Sequence, residues 1–229
     1  LREELKELGK YHAILTALAT GSKSPRQIAS LTGIPERSLY YYIEHLIGLR
    51  YVAKRCPLTD SVSSRSTRLE TRDALFRFWF RFVYPNMSFI SQMGPEKSYQ
   101  ELIKPHLSSY WGRCFEHLCR EALPALYEAE GVSAGFEIGE YWDKHVQIDL
   151  VGLRMDNSTD LGECKWGTAS SAGALEKELE RKKRLYPNTR NASIRLRAFT
   201  RKMPRGVSQA SPVSWHALVC CPATSMEII

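Results

Sequence analysis

The run His145-Val146-Gln147-Ile148-Asp149-Leu150-Val151-Gly152 constrains this chain more than any other stretch. It is apolar at nearly every position yet carries one acid, Asp149. A strand apolar on both faces is covered on both faces, and an unpaired buried carboxylate is very costly. Asp149 therefore needs partners. The run Leu161-Gly162-Glu163-Cys164-Lys165-Trp166 places Glu163 and Lys165 two apart, on one face of a strand. Between the two runs, Arg154 to Asp160 is rich in turn formers. A hairpin centred near Asp156 sets Asp149 roughly opposite Glu163. Two acids able to hold a divalent cation then stand beside a lysine, which is a candidate catalytic geometry.

The 229 residues suffice for one large domain or two small ones. No run of about 18 apolar residues occurs, so no membrane span is expected, and the opening residues do not read as a secretory leader. The chain begins at Leu1 and reads as helix at once, so a fragment of a longer protein is expected. Net charge is +7, and residues 1–100 carry 15 Lys and Arg against 9 Asp and Glu, while residues 101–229 carry 17 against 16. A basic front half points to a polyanion partner, nucleic acid first, with a merely soluble basic surface as the plain alternative. Cys56, Cys114, Cys119, Cys164, Cys220 and Cys221 form no C-x-x-C and have no histidine at zinc-ligand spacing. They read as reduced, mostly buried thiols of an intracellular, cytoplasmic protein.

Residues 5–19 read as a helix with Leu8, Tyr11, Ile14, Leu15 and Leu18 on one stripe. Ser24-Pro25-Arg26-Gln27 reads as a helix start: Ser24 is the cap, Pro25 the first position, and Gln27 completes a capping box. A third helix opens at Pro35, with Leu39, Tyr42, Ile43 and Leu46 inward and Arg37, Ser38, Tyr41 and His45 outward. A strand at 51–55, a polar loop at 57–66 and a return strand at 67–70 follow. Residues 1–72 thus read as a winged helix-turn-helix. Arg37, Ser38 and Tyr41 on the third helix, with Lys54, Arg55, Arg65 and Arg68 on the wing, are the candidate nucleic-acid contacts, DNA above all. Glu36 and Glu44 on the same helix oppose that reading, and a winged helix can also dock protein or act as a spacer.

Asp73 to Tyr84 gathers Leu75, Phe76, Phe78, Trp79, Phe80 and Phe82, and Pro85 is expected to end it. Residues 73–98 read as an aromatic connector whose second half is loop with a short helix. Residues 99–229 read as a second domain. Its long helix, Leu107 to Tyr127, has Trp111, Phe115, Leu118, Cys119 and Leu126 as its apolar side and Glu116 beside that stripe. Strands are expected at 136–141, in the two central runs, at 194–200 and at 214–220. A charged helix at 174–183 turns Leu175 and Leu179 inward, and its Lys177, Arg181, Lys182, Lys183 and Arg184 read as a solvated face or as a track for a phosphate backbone. This order packs as a mixed sheet with helices on its faces, an α+β or α/β class.

A helix bearing Glu116, then Asp149, then Glu163-x-Lys165 resembles the PD-(D/E)XK core of restriction-endonuclease-like proteins. Ile148 stands where proline is common in that motif, and Gln147 where glutamate is. Tyr11-x-x-Ile14-Leu15, Phe78-Trp79-Phe80-Arg81-Phe82-Val83-x-Pro85, Gly112-x-x-Phe115-Glu116 and Gly162-Glu163-Cys164-Lys165-Trp166 further resemble the C-terminal region of archaeal P-loop ATPases. There a winged helix and a nuclease-like domain follow the ATPase module. No G-x-x-x-x-G-K-[ST] occurs in this chain. The resemblance implies phosphodiester hydrolysis assisted by Mg²⁺ or Mn²⁺. The ion would be held by Asp149, Glu163 and the Cys164 carbonyl, with Glu116 completing the acids and Lys165 orienting water or offsetting charge. It equally implies, as the other reading, a catalytically inactive DNA-binding or protein-interaction module that regulates a P-loop ATPase.

Overall fold

The structure, a computed structural model, describes residues 7–59, 67–167 and 171–218. Arg65, Cys220 and Cys221 lie outside the described residues. Contacts sort the chain into two compact units, Leu1–Cys56 with Ser64–Leu107, and Pro57–Ser63 with Ser108–Ile229. The division expected at Tyr99 therefore falls at Leu107, and 73–98 belongs to the first unit.

In the first unit, α1 (Leu8–Ala19) buries Tyr11, Ile14, Leu15 and Leu18, the stripe read from its spacing. At α2 (Pro25–Thr32) the capping box closes: Ser24 Oγ accepts the Gln27 N–H, and Gln27 Oε1 accepts the Ser24 N–H at 2.9 Å. Gly33, at φ 71°, ends that helix in the left-handed region. Next, α3 (Glu36–Gly48) turns Leu39, Tyr42, Ile43 and Leu46 inward. β1 (Val52–Arg55) and β2 (Arg68–Thr71) pair antiparallel, and Lys23 adds a short bridge to Leu69.

The aromatic segment departs from expectation. It forms α4 (Ala74–Phe78), a wide turn at Trp79–Val83 and a tight turn at Tyr84–Asn86, and then continues as α5 (Met87–Ser98). Pro85 does not end the run because it sits in the first positions of the tight turn, where a missing N–H costs nothing. Phe80 joins the core of the first unit, with Phe76 and Tyr84 packed against it.

The second unit is a five-stranded sheet in the order β3 (Phe136–Trp142), β4 (Gln147–Arg154), β5 (Ser158–Lys165), β6 (Ser193–Thr200), β7 (Val213–Ala217). The first two pairings are antiparallel and the last two parallel. α7 (Ala172–Leu185) supplies the crossover that parallel β5 and β6 require. It packs Leu175 and Leu179 against Ile148, Leu161, Leu196 and Ala198. α6 (Leu107–Ala129) covers the opposite face through Phe115, Cys119, Leu123 and Tyr127, which meet Leu150, Cys164 and Phe199. Of the stripe expected on α6, Phe115 and Cys119 are buried and Leu126 packs beside them, but Trp111 and Leu118 are 44 % and 45 % exposed, and Tyr110, Leu123 and Tyr127 complete the buried side instead.

The hairpin turn is shorter than expected, Met155 to Asn157, with Asn157 at φ 58°. Asp160 is not a turn residue but is fully buried in β5. Arg197 Nε donates to Asp160 at 2.6 Å and its terminal nitrogens hold both Glu130 oxygens at 2.6 and 2.7 Å, while Tyr127 Oη donates to Asp160 at 2.7 Å. That network ties α6 to β5 and β6.

Candidate active site

Asp149 owes its placement to a bulge in β4. Pairing with β3 runs through Gly139↔Val151 and resumes at Tyr141↔Ile148, so Glu140 alone faces both Asp149 and Leu150. One extra residue breaks the in–out alternation and re-aims a side chain. Ile148 and Val151 accordingly both join the core under α7, while Leu150 joins the core under α6. On the other flank Leu150 pairs with Gly162, so Asp149 and Glu163 occupy the next positions of the two strands. Asp149 Oδ2 accepts the Cys164 N–H at 3.1 Å, and Arg120 of α6 donates to the Asp149 carbonyl oxygen at 2.6 Å.

Glu163 is almost wholly buried. Its Oε1 lies 2.7 Å from Lys165 Nζ, as the two-residue spacing on one strand face requires. Its Oε2 is bonded to Lys182 Nζ of α7. Glu178, one turn earlier on that helix, stands 3.8 Å from Lys165 and 3.7 Å from Lys182. Lys182, read from its neighbours as solvated or phosphate-tracking, is in fact 6 % exposed. The signal was present: Leu175, Leu179, Lys182 and Tyr186 follow helical spacing, and all four are buried. A lysine on an apolar stripe needs a carboxylate within the core.

The acids repel one another. Burial pushes the Asp149 carboxyl up, and Glu116 adds to the rise, against the pull of the Cys164 N–H, Lys182 and Lys165. Burial likewise raises Glu163, with Asp149 adding to it. Glu116 is raised by burial, relieved by Arg113 and Arg120 and raised again by Glu140 and Glu163. Burial works against the Lys165 ammonium, yet its hydrogen bond to Glu163 and the surrounding acids leave it above its ordinary value. Glu116, Asp149, Glu163 and Lys165 therefore share one electrostatic neighbourhood, with Glu140 and Lys182 as members the sequence reading did not include.

Hard oxygen donors crowded at low dielectric suit a small divalent cation. Among the described residues, however, no three His, Cys, Asp or Glu side chains already stand as a metal cage. In the structure Lys165 and Lys182 neutralise Glu163 instead. The Cys164 side chain packs with Phe115 and Cys119, and a hydrogen bond with Cys119 together with burial pushes its thiol up.

The candidate nucleic-acid residues belong to the first unit, and Arg65 among them lies outside the described residues. Arg37, Ser38 and Tyr41 are exposed on α3, Tyr41 by 69 %. Lys54 and Arg55, candidate phosphate contacts on the wing, are both engaged in ion pairs. Lys54 meets Glu44 of α3 at 2.6 Å, and Arg55 is bonded to the buried Glu70 across the β1–β2 pair. Arg68 is half-buried on β2. Of the described cysteines, Cys119 and Cys164 are buried, Cys114 is intermediate and Cys56 is exposed. No helix among the described residues is long and apolar enough to cross a membrane.

Residues 79–180 match a family model described as archaeal and bacterial proteins of unknown function. That stretch runs from the aromatic turns through Asp149, Glu163 and Lys165 into α7. An uncharacterized protein of Methanocaldococcus jannaschii is 30 % identical over 168 residues, covering 72 % of this chain. The chain spans only 38 % of that relative's length. Human N-acetylserotonin methyltransferase, solved in complex with SAM, aligns over 92 % of this chain and 61 % of its own at 10 % identity, with a TM-score of 0.23.

Proposed function

We propose that this protein binds nucleic acid through its first unit and hydrolyses phosphodiester bonds at a divalent-cation-dependent centre formed by Glu116, Asp149, Glu163 and Lys165. The observation that carries the reading is the bulge, which brings Asp149 alongside Glu163 and Lys165 under the field of Glu116. We read the second unit as restriction-endonuclease-like, since a βαβ crossover follows the strand bearing Glu163 and Lys165. The first unit is read as a winged helix-turn-helix: three helices, a tight turn at Gly33 and a two-stranded ribbon, with α3 exposing Arg37, Ser38 and Tyr41.

Asp149, Glu163 and the Cys164 carbonyl would hold Mg²⁺ or Mn²⁺, with Glu116 joining directly or through a water. Bound there, the ion would polarise a phosphate oxygen and acidify a water. Lys165, released from Glu163, would orient that water and offset charge on the phosphorane-like transition state. Lys182 would keep its hold on Glu163 and fix that carboxylate's direction. Arg120 fixes the Asp149 backbone in the same way.

One observation favours a second reading. The Glu163 carboxylate is already satisfied by two ammonium groups, as in a catalytically silent DNA-binding or docking module of a larger P-loop ATPase. Incubation with mixed DNA substrates, with and without Mg²⁺ or Mn²⁺, beside Asp149→Ala separates the two. Metal-dependent cleavage lost in the variant supports the hydrolase. No cleavage by a folded sample selects the silent module.

A further inference from the structure

We propose that Trp111, Trp166 and Arg201 form a stacking platform for an unpaired nucleobase beside the acid cluster, so that the strand offered to Lys165 is single-stranded or frayed. The consequence for substrate class rests on the phosphodiesterase reading, while the platform itself is a binding site and is tested as one.

Trp166 directly follows Lys165 at the end of β5, and Trp111 stands on α6 one turn before Phe115. Their ring centroids are 6.2 Å apart at an interplanar angle of 38°. Phe115, which is buried, supports Trp166 from below at 5.7 Å. The first turn of α6 comes close to Trp166, because a Cβ at Gly112 would lie 4.0 Å from the Trp166 Cβ. The Arg201 guanidinium lies 5.3 Å from the Trp166 ring centroid, and the Arg201 N–H donates to the Lys165 carbonyl at 3.2 Å.

A tryptophan that merely closed a core would be covered. Trp166 does part of that work, but Trp111 is 44 % exposed on α6, one position from the buried Tyr110. Two rings and a guanidinium on the α6 side of the sheet, where Glu116 follows Phe115 on the helix, match what a sugar–phosphate strand with splayed bases offers. Bases give stacking faces, and phosphates meet the cation. Bases inside a duplex stack on each other and present no face to a ring, so the platform selects unpaired nucleotides or frayed ends.

The test uses the full chain in EDTA, where cleavage does not interfere. Fluorescence anisotropy would follow binding of oligo(dT), oligo(rU) and a blunt DNA duplex, with circular dichroism checking each variant's fold. Trp111→Ala is expected to weaken single-strand binding about tenfold while sparing the duplex. Trp166→Phe keeps a ring over Phe115 and is expected to lose less, with Arg201→Ala between them. An oligonucleotide carrying 5-iodouracil should cross-link under near-ultraviolet light to the peptides holding Trp111 or Trp166. Unchanged single-strand affinity in folded Trp111→Ala, or an equal loss for single strand and duplex, would overturn the proposal. If the platform binds but the wild type cleaves nothing with Mg²⁺ or Mn²⁺, only the phosphodiesterase reading fails. If cleavage depends on Asp149 but Trp111→Ala binds normally, only the platform fails. Preference for oligo(dT) or oligo(rU) assigns the strand to DNA or RNA.

Discussion

Lys182 and Glu163 form an ion pair inside the second unit across nineteen positions of chain, and it joins the crossover helix to the strand that carries the candidate chemistry. Both side chains are buried, Lys182 at 8 % and Glu163 at 3 %. Such a pair is a poor source of net stability, because desolvating two charges offsets their attraction. Removing one partner is another matter: without Lys182 the buried Glu163 keeps only the partly exposed Lys165 as counter-ion.

Lys182→Met is therefore expected to destabilise the protein by about 3 kcal/mol, and Lys182→Met with Glu163→Gln by much less. Urea unfolding of the single and double variants measures this. Additive losses would show that the pair has no special energetic link.

Asp149→Asn is expected to raise Tm at neutral pH while abolishing metal-dependent cleavage. Burial and Glu116 raise the Asp149 carboxyl in the fold. An acid whose folded pKa is raised holds its proton better when folded, so the ionised form costs stability above that pKa. The advantage of asparagine is thus present at pH 7, shrinks as pH falls through the raised value and vanishes below about 3.9, the unfolded value. Each 1 kcal/mol is worth roughly 2–4 °C in a chain of this size. Thermal melts between pH 3 and pH 8 test the sign, and an equal or lower Tm for the variant at pH 7 would contradict it.

Added Mg²⁺ or Mn²⁺ should raise the Tm of the wild type and leave Asp149→Asn unmoved, since a ligand stabilises only the state that binds it. A shift of equal size in both proteins would place the cation elsewhere.

Gly152→Ala should cost about 3 kcal/mol or more, because the new Cβ would lie 2.1 Å from Tyr127 Oη. Tyr127→Phe alone loses the bond to Asp160. In the Gly152→Ala background the same change relieves the clash, so the double variant should be more stable than Gly152→Ala alone. Denaturant midpoints decide, and a double variant weaker than both singles would refute the clash.

Arg37→Ala and Tyr41→Ala test the exposed face of α3. Arg37→Ala is expected to weaken DNA binding at all sequences and to lower the salt slope by about 1, the mark of one lost phosphate contact. Lys54→Ala should matter less, because that lysine is engaged with Glu44. Titrations at several salt concentrations read both.

Local features were legible in the residues themselves. The capping box at Ser24 and Gln27, the inward stripe of α3 and the hairpin that sets Asp149 near Glu163 depend on neighbours a few positions apart. Periodicity and turn chemistry act at that range, so reading the spacing is enough to find them. Asp149 stood out because an acid among core residues breaks a local pattern.

Tertiary structure decided what needed distant partners. The β3–β4 bulge appears only once β3 is in register against β4, and no spacing within either strand marks it. The rotation of α7 over the sheet turned a lysine from an expected basic face into the counter-ion of Glu163, and the seating of α6 left Trp111 outside. Asp160 looked like a turn former until Arg197 and Tyr127 met it from β6 and α6. The physical reason is one of range. Spacing along the chain sets which residues share a face, but the free energy of burying charge depends on which other face arrives against it.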